Sequence, residues 1–201
     1  MPERNTSQRV QMLKVYLAGP EVFLPEAIEL GARKKRLCSE YGFEGLYPFD
    51  NEISPTSEER IDRRIYRANE QMIRRADFGI CNLTPFRGVS ADPGTVLELG
   101  MMAGLGKRVF AYTNTVRNYL ERSKLHDTLT YESSGNVWLD ADGMAVEDFG
   151  NVDNLMIDWA VAEHGACPIV RHDAHPAEIY RDLTGFDTCL RLAAEAISKI
   201  A

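Results

Sequence analysis

The apolar residues of the chain fall into short runs separated by longer amphipathic stretches. Five of these runs have the length and composition of buried strands, at 13–18, 43–47, 78–83, 108–113 and 168–170. Between them, apolar residues recur three and four positions apart, which predicts helices at 25–40, 93–105, 153–164 and 186–200. Strands that alternate with helices of this length predict an α/β fold, a parallel sheet with helices on both faces.

One further helix, between the second and third strands, has a clear start signal. Thr56 and Glu59 form a capping box, so we expect Thr56 to be its N-cap. The helix would then carry an apolar face that runs from Ile61 to Ile73.

Residues 114–153 interrupt this regular alternation. Two short apolar runs joined by an Asp-Ala-Asp-Gly turn predict a small β-hairpin inserted near 137–146. The sequence shows no linker, repeat or low-complexity tract. We therefore expect a single domain over 1–201, in which 1–11 form a flexible lead.

Composition narrows the possible functions. The 201 residues are 44% apolar and 26% charged, as in an ordinary folded domain. A net charge of −7 without a basic tract disfavours binding to nucleic acid or to an anionic membrane. There is no signal peptide and no membrane-length apolar run, and the four scattered cysteines fit neither a disulfide framework nor a zinc motif. We expect a cytoplasmic protein whose partners are small molecules.

The helix predicted at 93–105 contains a single carboxylate. Between Gly94 and Gly106 the only ionisable residue is Glu98, so we expect a buried helix with one carboxylate inside it. Burying an unpaired carboxylate costs several kcal/mol and needs a reason. A structural reason would be an ion pair with Arg74 or Arg108. A functional reason would be a nucleophile or base held in an apolar pocket.

The position of Glu98 in the predicted fold favours the functional reason. Its helix follows a parallel strand, so Asp92 at the helix start would lie beyond the carboxyl end of the sheet, where ligands bind. Asp92 before Pro93 is also typical of a plain N-cap. Tyr16 on the first strand is ordinarily a core aromatic, and the loop at Gly19 lets the backbone approach a ligand.

Together these pieces resemble the nucleoside 2-deoxyribosyltransferase family. Six segments occur in family order between residue 13 and about 158: Tyr16-Leu-Ala-Gly-Pro, Tyr47-Pro-Phe-Asp-Asn-Glu, Tyr66-Arg-Ala-Asn, Ala76-Asp, Asp92-x5-Glu-Leu-Gly and Asn154-Leu-Met. The resemblance implies a flavodoxin-like (Rossmann-like) parallel sheet flanked by helices. It also implies transfer of a 2-deoxyribosyl group between nucleobases, with retention and ping-pong kinetics, and without a cofactor or metal.

The resemblance also implies roles for individual residues. Glu98 would be the nucleophile at C1′ of the sugar, Asp92 would exchange a proton with the base, and Tyr16 would orient Glu98. We expect the substrate-binding residues to be Gly19, Phe23, Glu52, Asn69, Asn154 and Met156. The last two would complete the site of a neighbouring subunit in a dimer-based homo-oligomer, often a hexamer in this family, with Asn154 reaching the sugar 5′-hydroxyl.

The sequence departs from the family pattern at two positions, and two alternative functions remain open. Asn69 stands where well-known members carry an aspartate, and Glu52 where some carry glutamine, so purine or pyrimidine preference stays open. The first alternative is a deoxynucleoside 5′-monophosphate N-glycosidase, for whose phosphate Arg87 and Ser90 are candidates. The second is a non-catalytic nucleotide-sensing domain on the same fold, although a pure binder gains nothing from burying Glu98.

Overall fold

The computed structural model describes residues 12–51, 59–165 and 167–199 of the chain. The strands in these ranges are β1 (Leu13–Ala18), β2 (Phe43–Leu46), β3 (Phe78–Asn82), β4 (Arg108–Thr113), β5 (Thr130–Glu132), β6 (Val137–Leu139), β7 (Ala145–Val146) and β8 (Val170–Arg171). The α-helices are α1 (Ala27–Glu40), α2 (Ile61–Arg75), α3 (Pro93–Gly104), α4 (Tyr119–His126), α5 (Leu155–Gly165) and α6 (Thr184–Ser198).

The central sheet is parallel throughout and has the strand order β2-β1-β3-β4-β8. Numbered within the sheet, this is the order 2-1-3-4-5 of flavodoxin-like folds, so the predicted fold class is confirmed. The carboxyl ends of all parallel strands meet at one edge. The loops after β1 and β3 and the start of α3 therefore lie together at this carboxyl edge, where such folds bind ligands.

Side chains of β1 alternate between two cores, because successive residues of a strand point to opposite faces. Tyr16 and Ala18 belong to the core that includes residues of α2, α3 and α5. Val15 and Leu17 belong to the core that includes residues of α1 and α6. The alternation therefore places the Tyr16 side chain on the same side of the sheet as α3.

The insertion between β4 and α5 is larger than the sequence predicts. The hairpin expected near 137–146 is present as β6 and β7, and β5 extends it to a three-stranded antiparallel sheet. The sequence analysis does not predict helix α4, which also lies in 114–153 and begins at a capping box. Asn118 Oδ1 accepts from the Glu121 backbone N–H at 2.8 Å, and Glu121 Oε2 accepts from the Asn118 N–H at 2.7 Å. A helix of eight residues is too short to show a clear apolar period.

Helix α2 begins later than its predicted capping box. Its N-cap is Arg60, and the Glu59 carboxylate accepts from the guanidinium of Arg63 at 3.1 Å. The prediction that Thr56 is the N-cap of this helix is therefore wrong. Thr56 itself lies outside the described residues, as do residues 1–11.

The other predicted strands and helices lie within two residues of their expected bounds. All four cysteines are free thiols. In the part of the chain that the structure describes, no helix has both the length and the hydropathy needed to cross a bilayer. The single domain over the whole chain stays a prediction.

Helix α5 packs on β4 so closely that its last residue has to be glycine. A Cβ atom at Gly165 would overlap the carbonyl oxygen of Val109. Gly165→Ala should therefore lower the free energy of unfolding by about 1–3 kcal/mol in urea denaturation. The control is Gly88→Ala, where a Cβ would meet open space and the change should stay below about 0.5 kcal/mol. Equal stability of the two variants would contradict this packing.

Candidate active site

A contact between the first strand and the third helix forms the centre of the site. Tyr16 on β1 is fully buried, and its hydroxyl donates a hydrogen bond of 2.6 Å to Oε1 of Glu98 on α3. Arg74 and Arg108, the partners that a structural explanation requires, both contact other groups. An ion pair with these arginines therefore does not explain why the Glu98 carboxylate is buried, and that structural explanation is wrong.

Burial raises the pKa of Glu98 to about 7. The hydrogen bond from Tyr16 lowers this pKa, and the negative charges of Asp92 and Glu21 raise it. Burial, together with the Glu98 charge, raises the pKa of Tyr16 far above its usual value, so the phenol stays protonated and remains a donor. Glu98 is thus a carboxyl group that ionises near neutral pH while one of its oxygens is held in place.

Asp92 performs the capping role and also reaches the site. It is the N-cap of α3, and its Oδ2 accepts from the backbone N–H of Thr95 at 2.8 Å and from the Thr95 hydroxyl at 3.0 Å. Its Oδ1 has no hydrogen-bond partner among the residues that the structure describes. The cap therefore orients the carboxylate and leaves one oxygen available to a ligand.

Both carboxylates line a cavity of about 640 Å³ at the carboxyl edge of the sheet. This volume falls within the range of small-molecule sites. The lining is mostly apolar and includes Val22, Phe23 and Ile65, with polar contributions from Asn51, Asn69 and Thr95. Among the described residues that line it, none is Lys or Arg. Within the described ranges, no group of three or more His, Cys, Asp or Glu side chains is arranged to hold a metal ion.

Most of the expected site residues meet at this cavity. Its lining contains Gly19, Phe23, Asn69, Asp92 and Glu98. Tyr16 is not part of the lining, but its hydroxyl donates to Glu98. Glu52 lies outside the described residues.

Sequence reasoning did not assign Asn51, Val22 or Thr95 to the site, although the structure places all three in the cavity lining. Asn51 lies inside the Tyr47 segment that carries part of the family resemblance. Thr95 follows Asp92 by three residues, the spacing at which an N-cap carboxylate is bonded. Proximity to these motifs is the signal that could have identified them.

Asn51 and Asn69 form a linked pair in the cavity lining. Nδ2 of Asn51 donates to Oδ1 of Asn69 at 3.2 Å and to the carbonyl oxygen of Pro48 at 3.1 Å. Each amide retains hydrogen-bonding capacity, since Asn69 keeps its donor group and Asn51 keeps its acceptor oxygen. The pair can therefore match a planar ligand that has both a donor and an acceptor on one edge.

A buried polar network supports the loop after β1, and the sequence analysis does not foresee it. The fully buried side chains of Lys34 and Glu21 form an ion pair, and Asn82 Nδ2 donates to Glu21 Oε2 at 2.9 Å. Asn82 Oδ1 in turn accepts from the backbone and the hydroxyl of Thr84 at 3.0 and 2.6 Å. A Cβ atom at Gly19 would overlap the Glu21 carboxylate, so this turn requires glycine.

Asn154 and Met156 do not line the cavity of their own chain. Asn154 directly precedes α5, where its Oδ1 accepts from the Met156 backbone N–H at 3.0 Å and its Nδ2 donates to Glu147 at 2.6 Å. The Met156 side chain is 71% exposed. In the single chain, these two residues therefore lie apart from the cavity lining.

Helix α3 is not buried on all sides, so that prediction is wrong for the single chain. Leu97 on α3 and Leu105 at its C-cap are 57% and 42% exposed, and Met156 and Trp159 are exposed on the neighbouring α5. We call these four residues the apolar face. Exposed apolar side chains on adjacent helices are typical of a protein contact surface.

The phosphate-binding candidates have other partners. The Ser90 hydroxyl donates to the buried carboxylate of Asp153. The Arg87 guanidinium lies 4.6 Å from the centroid of the Phe86 ring. Neither candidate lines the cavity.

Comparison with known proteins agrees with this geometry. The family model for nucleoside 2-deoxyribosyltransferases matches residues 15–156. An uncharacterised protein of Schizosaccharomyces pombe is 35% identical over 167 residues, which are 75% of this chain and 78% of that protein. The structure of a 2-desoxiribosyltransferase from Leishmania mexicana is 28% identical, with a TM-score of 0.59 over 85% of this chain and 99% of its own. A conserved protein from Enterococcus faecalis V583 shares the fold, with 18% identity and a TM-score of 0.52 over 90% and 98% of the two chains.

The raised pKa of Glu98 predicts a pH-dependent effect on stability. A carboxyl group whose pKa is about 7 when folded and lower when unfolded stabilises the fold while it is protonated, and this contribution is lost as pH rises through 7. Glu98→Gln keeps an acceptor for Tyr16 and cannot ionise. We expect it to be more stable than the wild type by about 1–3 kcal/mol at pH 8, with the gain shrinking towards pH 5. Urea denaturation at both pH values measures this, and a gain independent of pH would contradict the shifted pKa.

Proposed function

The chain belongs to the nucleoside 2-deoxyribosyltransferase family, and from this premise we propose that it transfers the 2-deoxyribosyl group of a 2′-deoxynucleoside to another free nucleobase. The hydrogen bond from Tyr16 to Glu98, in a cavity that Asp92 also lines, is the observation that carries the proposal. Such a transfer needs one nucleophile and one proton-exchanging group, and the two carboxylates can supply them. The reaction is a base exchange of nucleoside salvage, which we assign to the cytoplasm.

In the first half-reaction, ionised Glu98 attacks C1′ of the sugar while the bond from C1′ to the base nitrogen breaks. Positive charge develops on the sugar, and the adjacent carboxylate stabilises it. The departing base receives its proton through Asp92, and the incoming base returns a proton to the same carboxyl group in the second half-reaction. Because Tyr16 holds Oε1, we assign the attack to Oε2, and the product is a covalent glycosyl ester of Glu98.

In the second half-reaction, a nitrogen of the incoming base attacks C1′ from the face that the first base left. Asp92 takes the proton from this nitrogen, and the ester bond breaks to return Glu98 as a carboxylate. Two displacements at C1′ give net retention and ping-pong kinetics. Water can attack the same ester, but the apolar lining of the cavity disfavours its entry, so hydrolysis is a slow side reaction.

The base is held by the remaining cavity residues in this proposal. The half-exposed ring of Phe23 provides a stacking surface. Asn69, linked to Asn51, binds an edge of the base through its free donor group. The close backbone approach at Gly19 leaves room beside Glu98 for the sugar, and we assign Glu52 to base recognition as well.

The active enzyme is a homo-oligomer built from dimers, for which we propose a hexamer. Its support is the apolar face, since these side chains lie on or directly after the two helices that carry Glu98 and Met156. A second subunit on this face would remove them from water. It would also allow Asn154 and Met156 to complete the neighbouring site, with Asn154 bound to the sugar 5′-hydroxyl.

Two observations favour a nucleoside over a nucleoside monophosphate. The described residues of the cavity lining include two carboxylates and no cation, so a dianionic phosphate would be repelled. Ser90, a candidate for phosphate binding, already donates to Asp153. The N-glycosidase and the nucleotide-sensing domain are therefore alternative outcomes of the following experiment.

Chromatography of the protein incubated with 2′-deoxyinosine and adenine, without added phosphate, tests the function. We expect 2′-deoxyadenosine and hypoxanthine to form. Glu98→Gln should reduce the rate by roughly 10³-fold or more, because it removes the nucleophile. The control Glu70→Gln removes a carboxylate that pairs with Arg74 on α2, and it should retain wild-type activity.

The other outcomes contradict the transferase. Release of hypoxanthine at the same rate with and without adenine would indicate a hydrolase. Base release only from the 5′-monophosphate would support the N-glycosidase. No reaction with these substrates or with thymidine would favour the sensing domain.

The assembly and its shared site make a separate prediction. By light scattering after gel filtration, the wild type should have a multiple of the 22.6 kDa chain mass, and Trp159→Glu should shift it towards the single chain. Glu98→Gln and Asn154→Ala should each be impaired, but their co-expressed mixture should regain part of the activity. The mixture contains sites in which an intact Glu98 meets an intact Asn154 from the other subunit. A mixture no more active than its parts would place Asn154 outside the neighbouring site.

A further inference from the structure

Phe23, which lines the cavity, is one of a pair of stacked rings. Phe23 lies in a single 3₁₀ turn between β1 and α1, and its side chain is 55% exposed. Its ring stacks on that of Phe86, with centroids 5.1 Å apart and an interplanar angle of 11°. About half of the Phe23 surface faces open space, so its contacts with the Phe86 ring and with the Arg87 guanidinium, 5.3 Å from the Phe23 centroid, orient the ring.

The ring of Phe86 also contacts the ring of Tyr180. The two rings meet edge to face, with centroids 6.0 Å apart and an angle of 80°. The Tyr180 hydroxyl also donates a 2.6 Å hydrogen bond to the carbonyl oxygen of Pro85. The next residue of the loop, Arg87, has a φ of +56°, a conformation that costs free energy for a residue with a side chain. The loop after β3, which contains Phe86 and Arg87, therefore needs contacts from other elements to keep this conformation.

Residues 179–182, which include Tyr180, are bonded to two other parts of the chain. Nδ2 of Asn114, at the end of β4, donates to two backbone carbonyl oxygens of this segment at 2.8 and 2.9 Å. Arg181 forms an ion pair with Glu26, which precedes α1 and follows Phe23 by three residues. These contacts fix residues 179–182 to the end of β4 and to the start of α1.

We propose that residues 172–183, which we call the brace, form part of the base-binding apparatus, with Tyr180 as the positioning residue for the stack of Phe23 on Phe86. This inference rests on the proposed function, because it assigns the stack to a nucleobase. The brace lies beyond residues 15–156, which the family model matches. It is therefore a contribution of this chain's own C-terminal part to the site.

The brace acts on binding rather than on chemistry. A ring that is already oriented binds a flat base without losing further conformational freedom, whereas a loose ring must be ordered by the ligand. Glu98 and Asp92 are held by Tyr16 and Thr95, which do not contact the brace residue Tyr180. Weakening the brace should therefore raise KM and leave kcat almost unchanged.

Tyr180→Phe tests this, because it deletes the hydrogen bond to Pro85 and retains the ring. We expect KM for 2′-deoxyinosine and the inhibition constant for free hypoxanthine to rise about three- to tenfold, with kcat within about twofold of the wild type. Tyr180→Leu, which also removes the edge contact with Phe86, should raise both constants further. The matched control is Tyr41→Phe, whose hydroxyl donates at 3.0 Å to Asp187 on α6 and does not reach the cavity. It should leave both constants unchanged.

The outcomes separate this inference from the proposed function. Wild-type KM and inhibition constants in a folded Tyr180→Phe protein, or a fall in kcat at constant KM, would overturn the positioning role. If the wild type exchanges no bases, the proposed function fails, and equilibrium binding of hypoxanthine then tests the brace alone. Weaker binding in Tyr180→Phe but not in Tyr41→Phe would support it, and equal binding, or none to the wild type, would overturn it.

Discussion

The hydrogen bond from Tyr16 to Glu98 joins the two elements on which the site depends. A carboxylate in an apolar wall is destabilised by burial, and a phenol that stays protonated is one of the few neutral groups that can hold it without introducing a second charge. The bond requires β1 to lie beside β3 inside the sheet and α3 to pack on the face towards which Tyr16 points. The topology of the sheet thus leads directly to a carboxyl group that ionises near neutral pH.

A second constraint holds the carboxyl edge around this bond. The buried pair of Lys34 and Glu21 connects α1 to the loop after β1, and Asn82 with Thr84 connects that loop to the end of β3. Breaking a buried ion pair by removing one partner is strongly destabilising, so the network has little freedom to move. The network therefore fixes the loop after β1, which contributes Gly19, Val22 and Phe23 to the cavity lining.

The single chain leaves part of its apolar surface uncovered, which explains the main error in the sequence analysis. The composition of α3 does indicate a helix without a polar solvent face, yet Leu97 is exposed in one chain. Hydrophobic patterning reports that a surface avoids water, but not whether the same chain or another one covers it. The missed helix α4 has a different cause, since its capping box at Asn118 was readable but its apolar period was too short.

The sequence by itself determined the strands of the central sheet, the alternation that makes this sheet parallel, and the positions of Tyr16, Asp92 and Glu98. Buried parallel strands appear as continuous apolar runs, and an N-cap followed by proline marks a helix start, so both are local signals. The family resemblance already named Tyr16 as the residue that orients Glu98, whereas the residues by themselves left an ion pair with an arginine open. Only the tertiary structure removed that alternative, paired Lys34 with Glu21 and placed Tyr180 against Phe86. These contacts depend on strand order and helix packing, and residues distant in the chain meet only when the whole sheet has formed.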